Sequence, residues 1–318
     1  MTDATLQNFE AEVIAASMTT PVLVDFWAEW CGPCKSLGPV LEKLEVAYEG
    51  RFKLVKVNAD AEQQLVAAFG VRSLPTCVLL MNGQPVDGFM GAVPEGQLRA
   101  FLDKHLPSPE ELMAEAETEE AEQLMQAGDT EAALAKLQEA LAVNPANEDA
   151  RFDYVKLLVM SGELDLASQA LAPALAVQPV ALRFEALSQW MACLRFVTTD
   201  PRGQWPLEQF DAAISANKRD FEARFDKARV LIAMGEWPQA MDELLEIIMR
   251  DKAWGDQAPR KAYVALLELM TPPKPKADAA GAGKTASGIE IAGKALAQQD
   301  PQAELVSRYR RKLSMALN

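Results

Sequence analysis

The sequence predicts a mixed α/β domain followed by an all-α array of paired helices. Three observations carry this reading. Over the first third, short apolar runs of strand character alternate with helical spacings. Beyond residue 107 the strand signals stop, and matching residues recur every 34 positions. Between the first strand and the next helix stands Trp30-Cys31-Gly32-Pro33-Cys34-Lys35, two thiols three positions apart at a strand-to-helix junction.

Residues 5–17 have helical spacing, with Leu6, Phe9, Val13 and Ile14 on one face. Residues 21–28 and 52–58 read as strands rich in Val, Leu and Phe. The helix between them carries Leu37, Val40, Leu41, Leu44 and Ala47 inward, and Pro39 should kink it. Residues 76–81, the turn Asn82-Gly83 and residues 85–90 form a hairpin. Residues 94–106 make a closing helix with Leu98, Phe101 and Leu102 inward. Strand–helix–strand followed by hairpin and helix gives a mixed sheet with helices on both faces.

In the second part Gly128 and Gly162, Ala133 and Ala167, Leu137 and Leu171, Ala140 and Ala174, and Pro145 and Pro179 are each 34 residues apart. Glycine between two helices, small residues in mid-helix and a late proline make a tetratricopeptide pattern. A further pair flanks Gly235 (residues 221–234 and 237–249). Residues 181–217 read as a degenerate pair with an insertion near 199–203, and a last helix covers about 258–270. Stacked pairs form a curved array with a concave face. Residues 271–298 are rich in Pro, Ala, Gly and Lys and read as a flexible linker. Asp300-Pro301 then reads as an N-cap with proline in the first turn. Leu305, Tyr309, Leu313 and Leu317 recur every four residues, with Arg308, Arg310, Arg311 and Lys312 on other faces. This basic helix either docks back onto the acidic array or binds another protein. The expected organisation is therefore 1–107, 108–270, linker 271–298 and terminal helix 299–318.

Charge narrows the partners. Residues 1–107 carry net −5, residues 108–270 net −14 and residues 271–318 net +4, within −15 overall. An acidic body argues against nucleic acid and anionic membrane. The first residues lack a signal-peptide pattern, and no stretch of 18 apolar residues occurs. The expected compartment is a reducing cytoplasm, where a surface dithiol is catalytic rather than structural.

Only a thiolate attacks a disulfide efficiently, and helix amides favour the thiolate on the first sulfur. Cys31, read at the exposed end of the helix, is the expected nucleophile, and Cys34, one turn further in, the resolving thiol. Gly32-Pro33 keeps the ring between them tight. Asp25 lies in an otherwise apolar strand and needs a partner or neutralisation. Lys56 in the neighbouring strand is the expected partner, and Asp25 the candidate proton acceptor for Cys34. The bland alternative for Asp25 is a strand-edge carboxylate facing water. A cis Pro75 before Thr76 would place backbone beside the sulfurs for peptide-like pairing with a client. No second Cys-x-x-Cys or His cluster completes a metal site, and no cofactor is expected.

Asp25-Phe-Trp-Ala-Glu-Trp-Cys-Gly-Pro-Cys-Lys35, Pro75-Thr76, Asn82-Gly83 and Gly91 closely resemble thioredoxin across about residues 4–106. The resemblance implies a thioredoxin fold with Cys31 and Cys34 redox-active, Asp25 the buried acid, Pro75 cis, and Trp30 and Gly91 lining the client groove. With the repeats, Asp220-Phe-Glu-Ala-Arg-Phe225 and Ser307-Arg-Tyr-Arg-Arg-Lys-Leu313, the whole chain resembles the bacterial YbbN/CnoX chaperedoxins. Members of that family are implied to hold unfolding proteins, protect their cysteines and pass them to the GroEL and DnaK foldases. The resemblance implicates the C-terminal helix in the chaperonin contact. Expected partners are thus unfolded or oxidised client proteins, GroEL, the DnaK system and thioredoxin reductase. The rival readings are a dedicated reductase of one partner with the repeats as docking adaptor, and a redox-inert assembly scaffold.

Among weaker features, Cys77 either forms mixed disulfides near the dithiol or is a small buried strand residue. Cys193 reads as helix core, His105 as solvent-exposed, and Met234 and Met241 as helix packing. The acidic run 110–122 reads as a solvated helix face.

Overall fold

A computed structural model describes residues 2–272 and 301–317. They fall into two compact units, residues 2–112 and residues 113–272 with 301–317. The predicted linker and the predicted Asp300 cap lie outside the described residues.

The first unit is built on a five-stranded sheet of order β1-β3-β2-β4-β5. Its strands are β1 (Thr2–Asp3), β2 (Val22–Trp27), β3 (Lys53–Asn58), β4 (Thr76–Met81) and β5 (Gln84–Met90). β1, β3 and β2 are parallel; β4 runs antiparallel to β2 and to β5. β2 is central, which explains its continuous apolar run. The β4–β5 turn is the predicted Asn82-Gly83, both residues at positive φ (52° and 73°), as a two-residue hairpin requires.

Side-chain alternation divides the core in two. Leu23, Leu54, Cys77 and Leu79 face α1 (Gly32–Ala47) and α3 (Glu95–His105), which supply Leu37, Leu41, Leu44, Leu98 and Leu102. Val22, Val24, Phe26, Val55, Val57 and Leu80 pack on the other face against Phe9, Val13 and Leu65. The period of two therefore puts Asp25, Lys56 and Cys77 on the face that carries the first turn of α1. α1 continues through Pro39.

The structure corrects several details. The N-terminal helical spacing is realised as a π-helical segment (Glu10–Ala15) and a 3-10 turn (Ala16–Met18), and Leu6 is exposed. Short helix α2 (Gln63–Ala68) has no counterpart in the sequence reading, because six residues are too few to show a period. His105 is largely buried: its Nε2 lies 2.7 Å from Asp87, and its ring packs on Phe101.

The second unit is helical: α4 (Pro109–Ala127) from its second turn on, α5 (Thr130–Val143), α6 (Glu148–Met160), α7 (Leu164–Leu175), α8 (Leu182–Thr199), α9 (Leu207–Ala216), α10 (Phe221–Ala233), α11 (Trp237–Arg250), α12 (Trp254–Met270) and α13 (Pro301–Leu317). Its repeat rests on one local structure used three times. Gly128, Gly162 and Gly235 take φ of 82°, 81° and 81° between paired helices. After each, the next residue's N–H donates to a carbonyl five positions back: Asp129 to Leu124, Glu163 to Leu158, Glu236 to Leu231. This is the left-handed helix stop that glycine allows. Five residues on, Ala133, Ala167 and Ala240 are fully buried; nine on, Leu137, Leu171 and Leu244 follow them. A second recurrent turn starts pairs: the side chains of Asn144, Asn217 and Asp251 accept from the N–H two residues later. The insertion expected near 199–203 is the 3-10 turn Pro201–Gln204. Met241 is buried as expected, whereas Met234, beside the glycine turn, is exposed. The acidic run is not all solvated face: Glu117 and Glu120 pair with Lys136.

α13 docks on α11 and α12. Val306 and Tyr309 are buried, and Leu305, Leu313 and Leu317 join the same apolar cluster around Tyr263. Tyr263 donates to the Tyr309 carbonyl (2.9 Å), and the Tyr309 hydroxyl donates to the Pro238 carbonyl (3.0 Å). Lys312 pairs with Asp242 at 2.7 Å. The four-residue stripe is therefore the docking face, and docking back is what the structure adopts.

Candidate redox site

β2 ends one residue before Ala28, and the tight turn that follows places Cys31 at the N-cap of α1. The Cys31 N–H donates to the Ala28 carbonyl (3.1 Å), and its extended backbone (φ −79°, ψ 100°) turns the side chain back over the helix start. Cys31 and Cys34 form a disulfide with Cα atoms 5.3 Å apart. The Cys34 N–H donates to Cys31 Sγ at 3.2 Å. In the reduced pair, that donor and the helix N-terminus both favour a thiolate on Cys31. Pro33 sits in the first turn, where its missing N–H costs nothing.

Cys31 itself is not open to solvent, contrary to the sequence reading. It is 2% exposed and Cys34 5%, packed with Ala28 and collared by Trp27 and Leu74. The N-cap geometry turns the sulfur inward, while neighbouring Trp30, Gly32 and Pro33 are exposed. Trp30, 70% exposed, is anchored by its Nε1, which donates to Asp60 at 3.0 Å.

The Leu74–Pro75 peptide is cis, and the Pro75 carbonyl accepts from the Gly91 N–H at 2.8 Å. Gly91 has φ of 82°, and a Cβ there would meet nothing within 4 Å, so its surface is open. Thr76 is placed differently from the expectation of a binding residue. It is buried, its hydroxyl donates to the Ser73 carbonyl (2.7 Å), and its backbone lies between Phe26 and Met90 in the sheet. It fixes the loop. Its register partner Met90, missed in the sequence, is 68% exposed and adjoins Gly91. Its position on β5 just before that glycine is the signal that could have found it.

Asp25 is buried (1% exposed). Loss of water pushes its carboxyl up to about 6, against the pull of the Lys56 charge and a hydrogen bond from Cys77. Lys56 stands opposite Asp25 in the parallel register but is not its contact partner, which corrects the expected pair. Lys56 Nζ pairs with Glu42 of α1 at 2.6 Å. Its long side chain passes over Gly38, where a Cβ would come within 3.3 Å of Nζ, so glycine at residue 38 lets it lie close to the helix. Lys56 thus acts on Asp25 through space. The direct contact comes from the other side: Cys77 Sγ lies 3.6 Å from Asp25 Oδ1. The sulfur pair, Asp25 and Cys77 thus belong to one face of the sheet; the predicted residues of α13 lie in the other unit.

A dithiol that can close at a helix start, an adjacent cis-proline and a buried carboxyl on the central strand define a thiol–disulfide oxidoreductase of the thioredoxin fold. Comparison with known proteins agrees. The family model described as thioredoxin matches residues 1–104. Thioredoxin 1 of Nostoc sp. is 46% identical over 106 residues, 33% of this chain and 94% of that protein. Thioredoxin of Haemophilus influenzae is 46% identical over 99 residues, 31% of this chain and 91% of that protein. Two models described as tetratricopeptide repeat match residues 124–190 and 202–280, outside the part these relatives cover. The chain belongs to the thioredoxin family. It joins a thioredoxin domain to tetratricopeptide repeats, the architecture of the YbbN-like proteins. No described helix is long and apolar enough to cross a membrane.

Proposed function

We propose that this chain couples disulfide reduction to the holding of unfolded protein chains, as a cytoplasmic chaperedoxin. The observation that carries the reading is a complete dithiol site on the same polypeptide as an array of repeated helix pairs. Attack requires the collar of Trp27 and Leu74 over Cys31 to open; the Cys31 thiolate then attacks a client disulfide, forming a Cys31–client bond and releasing one client sulfur as a thiolate, which takes up a proton. Cys34 gives its proton to the Asp25 carboxylate and attacks Cys31 Sγ. The second client sulfur leaves and is protonated, and two electrons have passed from the dithiol to the client. Thioredoxin reductase restores the dithiol. Trp30, Gly32, Pro33, Pro75, Gly91 and Met90 form the client-facing rim, and Lys56 sets the charge felt by Asp25. The array holds unfolded clients, and exposed Met160, Leu166, Leu182, Met234 and Met249 offer apolar contacts.

Cys31→Ser should abolish NADPH-coupled reduction of a model disulfide and leave suppression of heat aggregation unchanged. If stoichiometric protein leaves aggregation of a client unaffected, the holding role is wrong. Transfer to GroEL and the DnaK system is assigned to α13. Since Leu305, Tyr309 and Leu313 face inward, the accessible contacts are Arg308, Arg310 and Arg311, all exposed. Arg310 also donates to Thr271 at 2.9 Å, so the test replaces Arg308 and Arg311 alone by Ala, which keeps the docking face and should weaken co-elution with GroEL; unchanged co-elution rejects the assignment.

A further inference from the structure

We infer that Cys77 is a positioning residue of the redox site: its thiol holds the Asp25 carboxylate in the orientation from which it serves the Cys31–Cys34 pair. Asp25 and Cys77 are direct partners in the β2–β4 register, and their side chains share the face toward α1. The sulfur lies 3.6 Å from Oδ1, within reach of an S–H···O bond, and both residues are sealed from water. Among the described residues, Cys77 supplies the one side-chain hydrogen bond that reaches this carboxylate. The other charged groups facing Asp25 are Lys56 from β3 and, beyond it, Glu42 from α1, and these act on each other at 2.6 Å. The redox pair itself occupies the start of α1.

Burial and the neighbouring carboxylate push the Cys77 thiol well above its ordinary range. At neutral pH it is therefore a protonated donor and does not compete with Cys31 as a nucleophile. A donor to the ionised form favours that form, so the thiol opposes part of the upward push that burial exerts on Asp25. Valine at this place would fill the same apolar pocket and leave the carboxylate without a donor.

That contrast supplies the test. In the full chain, Cys77→Val keeps apolar volume and removes the donor, whereas Cys77→Ser keeps a donor and loses packing. The readouts are the Asp25 carboxyl titration followed by carbon-13 NMR and the pH profile of model-disulfide reduction. Cys77→Val should raise the Asp25 midpoint by about half a unit, lower turnover about twofold at pH 6 and leave it unchanged at pH 8. Cys77→Ser should stay near the unmodified protein in both. If Cys77→Val does not fold, Cys77→Ala, also without a donor, replaces it with the same expectation. A midpoint unmoved or lowered by loss of the donor, a serine variant displaced as far as valine, or a moved midpoint with an unmoved rate profile each overturns the assignment. The inference rests on Asp25 as proton acceptor, and the two fail separately. If Asp25→Asn retains the acidic limb of the rate profile, the acceptor role is lost, while the carboxyl titration still reports whether Cys77 holds the group.

Discussion

Asp25→Asn should make the first unit more stable above pH 6 and leave it unchanged near pH 3. The magnitude follows from the buried carboxyl. Its midpoint is raised from an ordinary 3.8 to about 6 in the folded protein. A raised acid midpoint means the folded state binds the proton more tightly than the unfolded chain. Stability from this group is fully present below the unfolded midpoint and is lost as pH rises through the folded one. A difference of about 2 units, at about 1.4 kcal/mol each, gives a penalty of about 3 kcal/mol once Asp25 is ionised. Asparagine has nearly the shape of the protonated acid and carries no charge, so it escapes that penalty. The assay is hydrogen exchange of β2 and β4 amides in the full chain, for both proteins, across pH 3 to 8, with rates corrected for intrinsic pH dependence. These central strands exchange through opening of the whole unit. The difference between the two proteins should be near zero at pH 3, rise through pH 4 to 6, and level off at about 3 kcal/mol. A flat difference, or an asparagine variant less stable at pH 8, refutes the reasoning.

Two further outcomes concern the helical unit. Tyr309→Ala removes a buried ring and the hydroxyl bond to the Pro238 carbonyl, a loss of about 3 kcal/mol or more, so α13 should undock and residues 301–317 should become the first site of limited proteolysis. Gly235→Ala places a Cβ where nothing lies within 4 Å but at φ of 81°, so the cost is backbone strain alone, about 1 kcal/mol, read as a shift of a few degrees in the thermal transition of that unit.

Both fold classes are legible in the sequence because each signal is local. A glycine followed five residues on by alanine and nine on by leucine encodes one helix-stop geometry three times, the first two 34 residues apart, and that geometry depends on residues within a few positions of each glycine. The run Val22–Trp27 and the Asn82-Gly83 turn likewise declare a central strand and a hairpin. α2, which shows no period in the sequence, is under two turns long, and the N-terminal helix, whose spacing is legible, departs from α geometry.

The dithiol, the carboxylate in its apolar strand and the four-residue stripe of the last helix were all determined by the sequence. Which groups they touch was decided only by the tertiary structure. Lys56 is long enough to bypass Asp25 and reach Glu42 over Gly38, and nothing in the spacing of residues 25 and 56 distinguishes those ends. Cys77 reads as a small buried strand residue, which it is, but only strand register sets its thiol against Asp25. Cys31 read as exposed because it begins a helix, yet the N-cap turn carries its sulfur inward. Tyr309 could have met any partner; the seat formed by Tyr263, Pro238 and Asp242 comes from two other helices. Local periodicity fixes which face of an element is apolar, but contacts between elements depend on register and side-chain reach across the core, which no single segment contains.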